Sequence, residues 1–307
     1  MVSHPVSSIH RPNLSSYQCI DRAAAIVAEL QEGSDMSTGI PCLDGTISIV
    51  TGGASGIGFA IAEELITEGS TVVVADVEAA ALARAGTALG VDTVLADVSS
   101  ADDVQRVADE VVRRHGRIDI AVNNAGIARV APFDELTLDD FRWVLDVNLW
   151  GVIHGMKSFL PVIEQTSQRG YIVNTASIAG LRTAAGLGAY AVSKFGVVAL
   201  TETVGLELDA RGSHVGVGVL LPAMVRSNIA ASERNRPGAV PRGSTRPGAS
   251  TRAPAAALDA DVVGRLVVGA IKRGERYIVS HPETLESVRA RHRGIEDAYA
   301  ATSYNEI

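Results

Sequence analysis

A doubly wound α/β domain, one parallel sheet covered by helices on both faces, is predicted by three observations. Apolar runs of four to six residues alternate with helical windows of twelve or more, the pattern of strands joined by crossover helices. Those runs read as apolar on both sides, as strands of a covered sheet must be. Thirty glycines against 4% aromatic residues favour short βα turns and close helix-to-strand packing over a β-sandwich. With 307 residues and 47% hydrophobic content, the chain buries one large core, so a single domain with decorations is expected.

Taken in order, residues 1–42 read as a partly disordered N-terminal extension. It holds an amphipathic stretch at Cys19–Gln31, a polar segment at Glu32–Gly39, and Met36 as an alternative start. Core structure is expected from Leu43. Strands follow at Ile47–Thr51, Thr71–Ala75, Thr93–Ala96, Ile118–Val122, Tyr171–Thr175, Val215–Leu220 and Arg276–Val279. Helices are expected at Ile57–Glu68, Glu78–Leu89, Ala101–His115, Leu138–Leu160, Ala189–Ala210 and Asp259–Lys272. The domain spans 43–281, and 282–307 is read as a C-terminal tail. Within the domain, about 223–256 is longer and richer in Pro, Gly and Arg than a simple connection, which suggests a substrate lid. Its arginines Arg234, Arg236, Arg242, Arg246 and Arg252 read as a solvated, mobile loop.

A formal charge of −8 and a pI near 5.4 exclude a phosphate-neutralising basic face, so no nucleic-acid partner is expected. No apolar run is long enough to span a bilayer, and the N-terminus shows no signal-type core. Cys19 and Cys42 lack C-x-x-C spacing and read as free thiols, which points to a cytoplasmic protein.

Immediately after the first strand the chain reads Thr51-Gly52-Gly53-Ala54-Ser55-Gly56-Ile57-Gly58 and opens an apolar-periodic helix. At that position Gly52 permits a tight turn, Gly56 lets backbone approach a pyrophosphate, and Gly58 allows close helix packing. The exposed N–H groups and positive dipole end of the helix would then face the phosphates, with Ser55 and Ile57 in the same turn. Asp76 ends the second strand, where its carboxylate would accept both adenosine ribose hydroxyls and repel a 2′-phosphate. No Arg or Lys lies in Val72–Ala80 or in the glycine turn, so NAD is expected over NADP. Asp97 and Val98 are expected at the adenine edge. Asn123-Asn124-Ala125-Gly126 follows the fourth strand, either passing close to the ligand or tying strands together.

Tyr190 and Lys194 stand at i and i+4, on one helical face, about 6 Å apart at Cβ. An ammonium there, together with a positive nicotinamide ring, is expected to stabilise the phenolate and lower the tyrosine pKa from about 10. Ser177 precedes Tyr190 by thirteen residues, and Asn148 lies inside the long helical window. In this order Thr-Gly-x3-Gly-x-Gly, Asn-Asn-Ala-Gly, Asn, Ser and Tyr-x3-Lys resemble the short-chain dehydrogenase/reductase family, in its shorter-chain subgroup, over about Leu43 to Val279. The resemblance implies a Rossmann-type fold, a homodimer or homotetramer, and no required metal. It implies that Tyr190 exchanges a proton with the substrate oxygen, that Lys194 lowers the tyrosine pKa and holds the nicotinamide ribose, and that Ser177 hydrogen-bonds the substrate oxygen. Asn148, by the same resemblance, would interrupt its helix and hold a water that relays protons to Lys194. The glycine spacing differs from the Thr-Gly-x2-Gly-x2-Gly of epimerase-like members, and Tyr-x3-Lys differs from the Tyr-x6-Lys of divergent enoyl reductases. Carbonyl/alcohol chemistry is therefore favoured. Where the family usually has Pro-Gly and then Thr, this chain reads Pro222-Ala223-Met224-Val225-Arg226-Ser227. Pro222, Val225 and Ser227 are expected at the carboxamide edge, with Ser227 replacing the threonine.

The substrate is expected outside the carboxyl ends of the strands, against Ala179–Leu187, Ile127–Ala131 and the segment after Pro222. Ile178, Leu181, Ala184, Leu187, Met224 and Val225 are apolar, with Arg182 and Arg226 as solvated rims. Leu187 and Met224, beside Ser177 and Tyr190, are the expected substrate contacts. These features suggest a lipophilic secondary alcohol or ketone, such as a steroid, terpenoid or aliphatic carbonyl. A 3-ketoacyl-thioester reductase using the arginines is the alternative. A non-catalytic dinucleotide-binding protein is the third reading, and intact Ser177, Tyr190 and Lys194 weigh against it.

Overall fold

The computed structural model describes residues 38–238 and 257–302. Seven strands, all parallel, form one sheet in the order β3-β2-β1-β4-β5-β6-β7. They are β1 (Ile47–Thr51), β2 (Thr71–Asp76), β3 (Asp92–Leu95), β4 (Ile120–Asn123), β5 (Gly170–Thr175), β6 (Val215–Leu221) and β7 (Tyr277–Val279). Successive residues of a strand face opposite layers, so each strand feeds two cores. Ile49, Val73 and Ile172 pack with α3 (Ala101–His115), α5 (Gly151–Thr166) and α6 (Gly188–Ala210), whereas Val50, Val74 and Val173 pack with α1 (Gly56–Thr67), α2 (Ala79–Leu89) and α7 (Ala260–Arg273). The doubly wound prediction therefore holds, as one Rossmann-like domain.

Local chemistry sets the helix ends. In α3, Ser100 accepts from the Asp103 N–H, Asp102 and Asp103 occupy the first turn, and Arg113, Arg114 and His115 the last, which complements the helix dipole. Thr137 and Asp140 form a reciprocal capping box at α4 (Leu138–Leu145). The single helix expected at Leu138–Leu160 is interrupted: α4 passes through a π turn at Asp146–Trp150 before continuing as α5. The turn carries Asn148, whose buried side chain bonds the backbone of Ile127. Such inserted turns are frequent where a helix must present a group to a site.

Two boundaries differ from the sequence-based expectation. Packed structure begins before Leu43, because Ile40 is buried against α7 and its N–H donates to Ile271 O at 3.1 Å. The segment read as a tail forms α8 (Leu285–Ala301), none of whose residues is buried; Arg291 lies 5.0 Å from the Phe195 ring centroid. The amphipathic stretch at Cys19–Gln31, Cys19 itself, and most of the expected lid, 239–256, lie outside the described residues. Among the described residues no helix is long and apolar enough to cross a membrane.

From β1 the chain winds outward through β2 and β3, and from β4 it winds the other way. The connections leaving the carboxyl ends of β1 and β4 thus diverge and open a crevice, where open α/β sheets place their ligands.

Candidate active site

The turn from β1 into α1 is shaped by backbone. Gly52 adopts φ +62°, and a Cβ there would sit 2.6 Å from Ala125 Cα. Gly58 meets the turn itself: a Cβ would lie 2.3 Å from Gly52 O and 2.5 Å from Asn124 Nδ2. Thr51 and Asn124 lock this arrangement. Thr51 Oγ1 accepts from the Asn124 N–H at 3.0 Å, while Asn124 Nδ2 donates to the carbonyls of Thr51 and Gly52, both at 3.2 Å. Asn123 Nδ2 donates to Asn174 Oδ1 at 2.9 Å and ties β4 to β5. Ser55 begins α1 without a side-chain cap, and no acidic residue occupies the first turn, which leaves N–H groups and a positive dipole end for an anion. Asp76 at the end of β2 accepts from Ala54 N–H at 3.1 Å and Glu78 N–H at 3.0 Å, which aims its carboxylate at the turn.

A cavity of about 550 Å³ runs from this turn to the end of β5. Of the predicted residues, Gly52, Ser55, Gly56, Ile57, Asp76, Asp97, Val98, Asn124, Ala125, Gly126, Ser177, Tyr190, Lys194, Pro222, Val225 and Ser227 line it together. A glycine turn without Cβ obstruction, an uncapped helix N-terminus and a strand-end carboxylate at one end fit a dinucleotide.

At the other end, Lys194 is 2% exposed, donates from Nζ to Thr175 O at 2.8 Å, and lies 5.7 Å from the Tyr190 ring centroid. Burial pushes its ammonium down to about 8. Ser177 Oγ donates to Pro222 O at 3.2 Å and accepts from Ala179 N–H at 3.1 Å. In the protein chain by itself, the expected lowering of the Tyr190 pKa is reversed. Burial pushes the phenol up, and the nearby Ser177 hydroxyl opposes that only in part. Asn148 stands behind the cavity wall: Oδ1 accepts from Ile127 N–H at 2.8 Å, and Nδ2 donates to Ile127 O at 2.9 Å and Ser193 Oγ at 3.1 Å. A Cβ on Gly126 would touch both Asn148 Oδ1, at 3.4 Å, and Lys194 Nζ, at 3.6 Å, so that glycine keeps open the space between them.

Two expected substrate contacts lie elsewhere. Met224 is 53% exposed and does not line the cavity, whereas its neighbours Ala223 and Val225 do. Leu187 lies with Ala191 and Phe195, at spacing i, i+4 and i+8, in a shallow groove beside the Tyr190 face. The arginines are solvated only in part: Arg226 stays exposed, as expected of a rim residue. Arg226 pairs with Asp259, Arg182 Nε is buried, and Arg234 and Arg236 are ion-paired across the cavity mouth; Arg242, Arg246 and Arg252 lie outside the described residues. Arg236 Nη1 lies 2.6 Å from Asp140 Oδ1, and its guanidinium lies 5.1 Å from the Trp143 ring centroid. Burial would raise the Asp140 carboxyl, but the Thr137 N–H and hydroxyl and the Arg236 guanidinium outweigh it and hold the group at about 2. Trp143 and Val147 line the cavity unforeseen, and Ser232, Arg234 and Arg236 reach it from the segment read as a lid, though the arginines' ion-pair partners were not expected. Their partners are distant in sequence, so local pattern held no signal for them.

Comparison with known proteins agrees with this geometry. Residues 46–238 match the short chain dehydrogenase family. The chain is 32% identical to the C alpha-dehydrogenase of Sphingobium sp. (strain NBRC 103272 / SYK-6), over 83% of this chain and 86% of that protein. It is 35% identical to 3beta-hydroxysteroid dehydrogenase 2 of Eggerthella lenta, over 63% and 76% respectively. Among solved structures, a short chain dehydrogenase/reductase from Burkholderia phymatum in complex with NAD superposes with TM-score 0.79 at 38% identity, covering 84% of this chain and 96% of that one. The chain belongs to the short-chain dehydrogenase/reductase family, and it is an oxidoreductase of CH–OH donors that binds a nicotinamide dinucleotide.

Proposed function

We propose that this enzyme interconverts a lipophilic secondary alcohol and its ketone with NAD as the preferred dinucleotide. The carrying observation is the meeting of Ser177, Tyr190 and Lys194 at the end of the cavity opposite Asp76. The dinucleotide supplies or accepts the hydride. Tyr190 moves the proton: its phenol donates to a carbonyl oxygen in reduction and takes the hydroxyl proton in oxidation. Ser177, which lines the same end of the cavity as that phenol, holds the substrate oxygen within reach. Lys194 places a cation behind the ring, and burial makes its own proton easy to give up, which suits a relay through the Asn148 side. The apolar Ile127, Trp143, Val147 and Ile229 along the cavity, and the steroid named for one relative, support a lipophilic substrate. Asp76, placed to accept ribose hydroxyls, supports NAD. Exposed Trp150 at the end of the π turn, and Val192 and Leu206 on α6, support assembly into a dimer or tetramer.

The test is a screen of steroid, terpenoid, aryl and aliphatic secondary alcohols, sugar alcohols and 3-ketoacyl thioesters with NAD(H) and NADP(H), following absorbance of the reduced dinucleotide. Turnover of lipophilic alcohols with NAD is expected. Activity confined to sugar alcohols, or to thioesters with salt-sensitive KM values, would overturn the substrate assignment.

A further inference from the structure

The local sequence supplies no cation to the adenosine end, but the fold brings one there. Arg234 comes from the segment after β6 and lies against Glu78, two residues beyond Asp76. Its Nη2 donates to Glu78 Oε1 at 2.6 Å, and its Nε lies 3.1 and 3.2 Å from the two carboxylate oxygens. Asn235 Nδ2 adds a bond to Oε1 at 3.0 Å. The remaining nitrogen, Nη1, donates to the carbonyls of Asn228 at 3.1 Å and Ala231 at 2.7 Å. All three guanidinium nitrogens are therefore engaged. The Arg234 hydrogen bond holds the Glu78 carboxyl below its ordinary range, so the pair stays ionised at neutral pH. Asp76, Glu78, Arg234 and Asn235 all face the one cavity.

We propose that Glu78 is a specificity-determining residue for the dinucleotide, a role it exerts by sequestering Arg234. A bidentate guanidinium is the side chain best matched to a phosphate, and a free one beside Asp76 would offer a 2′-phosphate the partner that Val72–Ala80 lacks. Paired with Glu78, Arg234 offers no such partner, and a 2′-phosphate meets the uncompensated charge of Asp76. NADP is thus refused twice, by a carboxylate at the ribose and by a second carboxylate that occupies the arginine. This deepens the NAD-dependent reading above and rests on it.

Calorimetric titration of the full chain with NAD and with NADP tests the idea without relying on turnover. Glu78→Gln and Glu78→Ala should each shift the NADP-to-NAD affinity ratio toward NADP by about tenfold, the worth of a single charge-assisted hydrogen bond from Arg234 to the 2′-phosphate. Adding Arg234→Met to either variant should return the ratio to the wild-type value. An unmoved ratio in both Glu78 variants, or a shift that survives the loss of Arg234, overturns the proposal. Wild-type protein serves as the internal reference. If it binds neither dinucleotide, the parent reading fails and this one with it; if it binds NAD and the ratio stays fixed, only the Glu78–Arg234 assignment fails.

Discussion

At the adenosine end the cavity is built from backbone and missing side chains: Gly52 in a left-handed turn, Gly58 pressed on the Gly52 carbonyl, and an uncapped helix start. At the chemical end it is built from buried titratable groups, with Lys194 almost sealed from water and Tyr190 desolvated against Ser177. The first end binds through shape and oriented dipoles, which need little rearrangement. The second holds a cation where burial disfavours it, and so exchanges stability for reactivity.

Four substitutions probe that contrast. The largest effect is expected from Tyr190→Phe, which removes the transferable proton and should lower kcat by about 10³ to 10⁴-fold while calorimetry still registers dinucleotide binding. Unchanged turnover would separate the phenol from the chemistry. Gly58→Ala should act on the other end. Its Cβ meets a carbonyl and an amide already fixed by hydrogen bonds, so about 3 kcal/mol or more of stability is expected to be lost, together with dinucleotide affinity. Normal affinity in a variant with an unshifted melting curve would show that the turn is softer than described.

Lys194→Met should move in the opposite sense on stability. The folded-state pKa, about 8, lies below the unfolded value of about 10.4, so the folded protein pays for the charged ammonium below pH 8 and sheds that penalty as pH rises toward 10.4. Wild-type stability should therefore gain up to about 3 kcal/mol across that window relative to the methionine variant, which starts higher at neutral pH yet is inactive. Parallel stability curves for the two proteins between pH 7 and 10 would contradict a desolvated cation. The smallest effect is expected from Asp140→Asn, measured by denaturant melts. The carboxyl sits at about 2, below its ordinary value of 3.8, so its contribution is present above pH 4 and lost as pH falls toward 2. Loss of about 2 kcal/mol at pH 7, shrinking to about 0.4 kcal/mol at pH 2, is the expected signature of its bonds to Thr137 and Arg236.

Most of the scaffold was legible from sequence because strand and helix periods are local. All seven strands and five of the six helical windows lie within a few residues of their expected places. The exceptions have physical causes. The break at Asp146–Trp150 leaves the apolar pattern of Leu138–Leu160 intact, since a π turn inserts one residue without changing which residue types are used. Helix α8 buries nothing, so no apolar stripe marked it.

By itself the sequence determined the strand–glycine turn–helix unit, the strand-end carboxylate Asp76, and the placing of Tyr190 and Lys194 on one helical face, because each depends on spacing within a few residues or one βα unit. Only the tertiary structure decided that Met224 does not line the cavity, that burial raises the Tyr190 phenol, and that Arg234 and Arg236 span the cavity mouth to Glu78 and Asp140. Burial and charge pairing are sums over neighbours brought together by folding, and those neighbours lie far apart along the chain.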